Sequence, residues 1–156
     1  SGFHSNGYSL IRKWLKDRPE LTEAYLDYLM TPTKLYWQWP ALVEKLGINT
    51  VRSLANITGG GISGNLPRVL PEGAEAHIDF NKIKTPTKMQ EFITKNGATT
   101  RELEGVFNLG VGMMAVVNKT EQQGFIEATK AANLEAYAVG EVKLTNRKNE
   151  AQVIFS

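Results

Sequence analysis

At 156 residues the chain fits one domain with a sizeable core, and its 42% apolar and 22% charged residues are ordinary for a globular protein. Its 18 basic residues nearly balance its 16 acidic ones, so the broad basic field of a general nucleic-acid binder is lacking. The lack of cysteine excludes disulfide frameworks, thiolate zinc sites and cysteine nucleophiles.

Apolar spacing and the turn residues predict alternating helices and strands in chain order. The first predicted helix begins near residues 6–9 and ends at Arg18. The third begins at Pro40 and ends before Gly47, which takes its C′ position, and the others cover about 21–29, 62–70, 87–95 and 120–132. The predicted strands are 34–38, 51–57, 75–80, 112–117, 136–142 and 151–155. Thr120 and Gln123 fit a capping box, and the last two strands flank a polar turn at 145–149 as in a hairpin. The alternation predicts one α/β domain over residues 1–156, a layered α-β-α sandwich with a mixed sheet, ferredoxin-like in part.

The first residues of the chain and the length of its apolar runs indicate where in the cell the protein is expected. No apolar run approaches the roughly 20 residues that span a bilayer, and the first residues lack the pattern of a signal peptide. We therefore expect a cytoplasmic protein with no membrane partner, which the lack of cysteine fits. Because the chain opens on Ser1 without a methionine, we also expect it to have been cut from a longer polypeptide or processed.

A glycine-rich loop at residues 58–64 follows the second predicted strand and is the first candidate site. Glycines let the backbone approach a ligand and turn its N–H groups towards an anion, so Gly59, Gly60 and Gly61 are candidate phosphate contacts. The side chains of Thr58, Ser63 and Asn65 could donate further hydrogen bonds to the same ligand. The alternative is a tight turn that only packs a strand against a helix.

Two better-known phosphate motifs do not fit this loop. Gly59, Gly61 and Gly64 match G-x-G-x-x-G, and Asp79 lies at the distance of a ribose-binding acid. The following helix is too short for a dinucleotide fold, however, because Pro67 interrupts it. A P-loop is excluded because no Gly-Lys-Ser/Thr follows.

Histidines offer one further candidate. His4, with Ser5 and Asn6, forms a polar turn before the first helix, where an imidazole could meet a phosphate or relay a proton; a simple capping role is the alternative. His77 faces outward on its predicted strand, which suits a solvated or interface residue. Without cysteine or His-x-x-x-His spacing, we predict no metal site.

Two other features are less specific. Residues 107–113 place Asn108, Gly110 and Gly112 before a buried strand, either as a wall of the site or as a bulge or close strand crossing. The first third is rich in tryptophan and tyrosine, which core packing or a surface that docks another domain explains better than base stacking.

Several motifs, in one order, resemble a known family. They are residues 2–10 (GFHSNGYSL), 31–36 (TPTKLY), 57–61 (ITGGG) with 65–71 (NLPRVLP), and 107–113 (FNLGVGM), and the closing 138–142 (AVGEV) is similar too. Together they resemble the C-terminal half of phosphoribosylformylglycinamidine cyclo-ligase, also called aminoimidazole ribonucleotide synthetase. Each motif alone is unspecific, but the combination extends over nearly the whole chain.

The resemblance implies a cytosolic ligase of purine biosynthesis. In that family ATP, with Mg²⁺, phosphorylates the formyl oxygen of formylglycinamidine ribonucleotide, and a substrate nitrogen then closes the imidazole ring. It also implies a homodimer whose active site lies between an N-terminal ATP-binding domain and this one. Neither ATP nor Mg²⁺ is then expected to be held by this domain alone, which by itself would be inactive.

One position departs from the resemblance, and alternatives remain. Many members of that family carry His where this chain has Asn56, which can only donate or accept hydrogen bonds. A freestanding ligand-binding or regulatory module of the same fold is the alternative function. A related family of the same fold, the selenophosphate synthetase and thiamine-phosphate kinase group, is a less favoured alternative, because the motif at residues 65–71 is evidence against it.

Overall fold

A computed structural model describes residues 1–4, 6–47, 49–145 and 150–156. The helices in this part of the chain are α1 (Tyr8–Asp17), α2 (Glu20–Leu29), α3 (Trp39–Leu46), α4 (Gly61–Asn65), α5 (Thr87–Lys95) and α6 (Gln122–Ala131). Its strands are β1 (Val51–Asn56), β2 (Ala74–Ile78), β3 (Met113–Val117), β4 (Gly140–Leu144) and β5 (Gln152–Phe155). Short 3₁₀ helices cover Leu66–Val69, Phe80–Lys82 and Lys119–Glu121.

The described strands form two sheets. β1 pairs antiparallel with β3, with Leu54 opposite Ala115. The second sheet has the order β4-β2-β5, in which β2 runs antiparallel to β4 and parallel to β5. The α/β class and the mixed sheet predicted from the sequence are therefore confirmed.

The predicted hairpin of the last two strands is wrong. β4 and β5 lie on opposite edges of β2, so each bonds to β2 instead of to the other. Placing β2 in the centre pairs its backbone on both sides and buries its alternate residues Ala74, Ala76 and Ile78. Of the predicted turn at 145–149, residues 146–149 lie outside the described part of the chain.

The core gathers around three buried phenylalanines that come from distant parts of the sequence. The Phe3 ring lies 4.9 Å from the Phe107 ring and 5.9 Å from the Phe92 ring, measured between centroids. All three side chains are at most 2% exposed. Since Phe3 directly precedes His4, the core fixes the start of the polar turn at residues 4–6.

Most other predicted elements are confirmed, with three differences. Residues 34–38 form no strand in the described structure, because this domain provides no strand beside them. The capping box at Thr120 is wrong, since α6 has Glu121 at its N-cap with no side-chain cap and a 3₁₀ turn precedes it. β4 begins at Gly140, four residues later than the predicted strand.

None of the helices in the described part of the chain is long and apolar enough to cross a membrane.

Candidate functional site

The glycine loop, residues 58–61, joins β1 to α4 in a conformation that only glycine adopts readily. Gly60 and Gly61 have φ angles of 94° and 59°. A Cβ at Gly61 would overlap the carbonyl oxygen of Glu104 and lie 3.1 Å from that of Phe107. Gly61 therefore packs the loop directly against the backbone of residues 104–107.

Asn65 holds this loop from inside. Its buried amide nitrogen donates to the carbonyl of Gly61 at 2.7 Å and to that of Gly59 at 3.2 Å. Its oxygen accepts from the Thr58 hydroxyl at 3.2 Å. The loop conformation is thus fixed by a side chain four residues beyond Gly61.

Asn6 connects the N-terminal turn to the loop. Its Oδ1 accepts a hydrogen bond from the Gly59 N–H at 2.9 Å. Its Nδ2 is shielded from solvent but donates to no other described residue. The N–H of Gly60, the next residue of the loop, also has no partner within the described ranges. Two hydrogen-bond donors are therefore left unpaired at the junction of the two motifs.

His4 lies at the edge of this junction, in a left-handed conformation with φ 53°. Its Nε2 accepts a hydrogen bond from the backbone N–H of Lys34 at 3.3 Å. Burial lowers the pKa of His4, and the positive charges of the amino terminus and Lys34 lower it further. The imidazole is therefore neutral near pH 7, with Nε2 as acceptor and the proton on Nδ1. The neighbouring Ser5 lies outside the described residues.

Asn108 and Gly110 brace the third motif. The Asn108 side chain is fully buried, donates to the Gly2 carbonyl at 2.9 Å and accepts from the Gly110 N–H at 3.1 Å. Gly110, at φ 87°, lies so close to Pro86 that a Cβ would overlap the proline ring. These contacts tie the N-terminal segment to the 107–112 loop.

The structure thus brings together the three motifs singled out in the sequence. The N-terminal turn bonds to the glycine loop through Asn6, and both pack on Phe107: its ring lies against Gly7 and its carbonyl beside Gly61. The predicted residues of these motifs fall into two classes, those whose hydrogen-bond donors are bonded within the protein and those whose donors are free. Gly61, Asn108 and Gly110 have their N–H or amide groups occupied by protein partners, whereas Asn6 and Gly60 retain free donors.

One supporting residue was given a different role by the sequence. Asn65 was expected to donate to a ligand together with Thr58, but the two bond to each other and to the loop. The available signal was the position of an asparagine just behind three glycines, since one amide NH₂ group can donate to more than one of their carbonyls.

The rejection of the dinucleotide motif is confirmed. β1 pairs with the antiparallel β3, whereas a dinucleotide fold needs a parallel neighbour reached through a long helix. α4 has only five residues and passes into a 3₁₀ turn that contains Pro67.

The remaining histidine lies beside a carboxylate on β2. His77 is partly buried on β2, and its Nε2 lies 3.2 Å from Glu75 Oε2. In the ranges that the structure describes, no three His, Asp or Glu side chains are grouped to hold a metal ion.

An open cleft of about 1400 Å³ adjoins the 107–112 loop. On its rim the Lys84 ammonium lies 2.8 Å from Glu135 Oε1, and the Lys84 N–H donates to the Tyr137 hydroxyl at 3.1 Å. The hydrogen bond between the two side chains raises the pKa of Lys84 and lowers that of Glu135. The cleft also contacts Lys34 and Tyr36, so it continues from the edge of the His4 turn.

Comparison with known proteins agrees with the motifs. A family model described as AIR synthase related protein, C-terminal domain, matches residues 1–151. The chain is 35% identical to a phosphoribosylformylglycinamidine cyclo-ligase of Staphylococcus carnosus, over 99% of the chain and 46% of that protein. It is 37% identical to the protein of that name from Burkholderia cenocepacia (strain J2315), over 99% of the chain and 45% of that protein. It is 39% identical to the protein of that name from Sorangium cellulosum, over 91% of the chain and 43% of that protein.

The chain spans about half the length of these curated relatives. Its motifs, its α/β fold and the match over residues 1–151 agree. The chain belongs to the AIR synthase related protein family and corresponds to the C-terminal domain of that family's proteins.

Proposed function

We propose that this domain is the C-terminal half of a phosphoribosylformylglycinamidine cyclo-ligase, the activity named for its relatives. The reaction would convert formylglycinamidine ribonucleotide to aminoimidazole ribonucleotide and release ADP and phosphate. One observation carries the proposal. Asn6 and Gly60, from two separate motifs, each keep an unpaired hydrogen-bond donor at the same junction.

These donors suit the chemistry that the reaction needs. ATP transfers its terminal phosphoryl group to an amide oxygen, so negative charge must be stabilised on phosphate oxygens close to the substrate. Fixed donors stabilise such charge without reorganising. Asn6 is held through its other amide atom by Gly59, and Gly60 by the bonds of Asn65 to its two neighbours.

His4 is proposed as the residue that orients this edge and as a candidate for proton transfer. Because Nε2 is bonded to the Lys34 N–H, the proton-bearing Nδ1 is the atom left to meet a substrate. Ser5, Gly59, Gly61, Asn108 and Gly110 remain predictions as ligand contacts. The bonds of the last four support a positioning role.

The other half of the site would come from an N-terminal domain. The described residues include no group of acidic or histidine side chains suited to Mg²⁺, so no step is assigned to a metal held here. We propose that ATP and Mg²⁺ bind mainly through that domain, that the whole enzyme is a homodimer, and that it works in the cytoplasm.

The experiment that tests this function is a two-half polypeptide, in which the N-terminal half of the Staphylococcus carnosus relative is joined before Ser1 of this chain. We expect ADP release that requires formylglycinamidine ribonucleotide, measured by a coupled assay. The control is the Staphylococcus carnosus protein itself. A folded two-half polypeptide that releases no ADP would sink the proposal, and nucleotide binding without turnover would favour the freestanding binding module.

A further inference from the structure

A segment beside the N-terminal turn exposes apolar side chains to solvent. Of the five large hydrophobic side chains that are most exposed in the described structure, three lie within residues 30–37. Met30 is 67%, Leu35 74% and Trp37 77% exposed. Such a concentration on eight consecutive residues marks an interaction surface, because single exposed hydrophobic residues are normally scattered.

Part of the backbone of the same segment also lacks hydrogen-bond partners. The N–H groups of Leu35, Tyr36 and Trp37 donate to no other residue that the structure describes. The sequence predicts a strand here, yet the described residues of the domain provide no strand beside it. Unpaired backbone with exposed apolar side chains is typical of an edge that another chain segment covers.

The segment is held on its other side by the start of the chain. The Lys34 N–H bonds to His4, and the Tyr36 hydroxyl is hydrogen-bonded to the Ser1 hydroxyl. The Tyr36 hydroxyl also lies directly against Gly112, where no Cβ would fit. Leu35 and Trp37 are therefore exposed on an anchored segment, close to Ser1.

The family match indicates what covers them. The matched family model is that of a C-terminal domain, and the chain covers 46% of the Staphylococcus carnosus relative, so more than half of that relative lies outside the matched region. We propose that residues 30–37, the docking segment, are the surface on which the N-terminal half of the same polypeptide packs, with Leu35 and Trp37 as its apolar anchors. This inference rests on the proposed function only in requiring that such a half exists.

Thiol labelling tests the proposal, because the chain has no cysteine of its own. Leu35→Cys is compared in the chain alone and in the two-half polypeptide described above, and modified peptides are counted by mass spectrometry. A docked population of about 90% slows labelling roughly tenfold, since only the undocked fraction reacts. Leu144→Cys is the matched control, because Leu144 is also 74% exposed and lies on β4. We expect its labelling rate to be equal in both proteins.

Three results would overturn the docking proposal. They are an equal labelling rate for Leu35→Cys in the two proteins, equal slowing at Leu144→Cys, and slowing in the chain alone that grows with its concentration. The last result would show that a second copy covers the segment. If labelling of Leu35→Cys is slowed in the two-half polypeptide but no ADP is released, the docking proposal stands and the proposed function is refuted. If ADP is released but labelling is not slowed, the proposed function stands and the docking proposal is refuted.

Discussion

Replacement of Gly61 by alanine tests the packing that brings the glycine loop and the 104–107 backbone together. The new Cβ would overlap the Glu104 carbonyl oxygen and lie 2.7 Å from its carbon. Backbone atoms cannot rotate away as a side chain can, so the two segments must separate. Alanine is also strained at the φ of 59° that Gly61 adopts.

The magnitude follows from these two effects. A left-handed conformation costs alanine roughly 1–2 kcal/mol, and overpacking at a buried contact costs roughly 1–3 kcal/mol. We therefore expect Gly61→Ala to lower the free energy of unfolding by about 2–5 kcal/mol. At a slope of about 2 kcal/mol per molar urea, the unfolding midpoint falls by roughly 1–2.5 M.

Gly64 provides a matched control three residues away. It lies in the same short helix, and a Cβ there would meet nothing within 4 Å. Gly64→Ala should leave the midpoint unchanged or raise it, because alanine is favoured over glycine in a helix by up to about 1 kcal/mol. Urea unfolding followed by tryptophan fluorescence measures all three proteins. A wild-type midpoint for Gly61→Ala, or an equal loss in Gly64→Ala, would refute the packing argument.

Three further predictions concern the residues around the site. Asn65→Ala should lower the free energy of unfolding by roughly 1–3 kcal/mol, because it removes the side-chain hydrogen bonds to the carbonyls of Gly59 and Gly61, the second of which is buried; an unchanged urea midpoint would contradict this. Asn108→Ala should cost a similar amount, about 1–3 kcal/mol, by releasing the Gly2 carbonyl and the Gly110 N–H, and amide exchange at Gly110 should accelerate. Because burial and nearby positive charges lower the pKa of folded His4 below its usual 6.5, the unfolded chain binds more protons there. Stability should therefore fall as the pH drops through about 6.5 and level off below the folded pKa, and His4→Gln should remove that loss; equal pH profiles for the two proteins would count against it.

Local patterns in the sequence were sufficient to predict most elements. The helix at Thr87–Lys95 has the predicted bounds because a proline precedes it and Asn96-Gly97 follows it. The alternation of Ala74, Ala76 and Ile78 likewise identified β2. Helix-ending residues and apolar alternation both involve residues that are close together in the sequence, so they can be read without knowing the fold.

Pairing between distant segments could not be predicted in the same way. The polar sequence at residues 145–149 is typical of a hairpin turn, yet β2 lies between β4 and β5. The segment at 34–38 has the composition of a strand, but strand formation depends on a partner, and this domain supplies none among the described residues.

The arrangement of the candidate site could be predicted only in part. The sequence identified the three motifs, and the structure brings them into contact through Asn6, Gly61 and Phe107. It did not indicate which residues of each motif are occupied by the protein itself. That distinction depends on the direction of single N–H and C=O groups, as between the occupied Gly59 N–H and the free Gly60 N–H.

The most direct test of the proposed site is the kcat/KM of Asn6→Asp in the two-half polypeptide. Aspartate keeps the oxygen that accepts from Gly59 and replaces the free donor with a negatively charged oxygen, so folding is preserved while a phosphate is repelled. Loss of one such donor typically costs a factor of about 10²–10³ in turnover, and we expect a decrease of at least about 100-fold with an unchanged urea midpoint. A kcat/KM equal to that of the unsubstituted polypeptide would contradict the assignment of Asn6 to the ligand site.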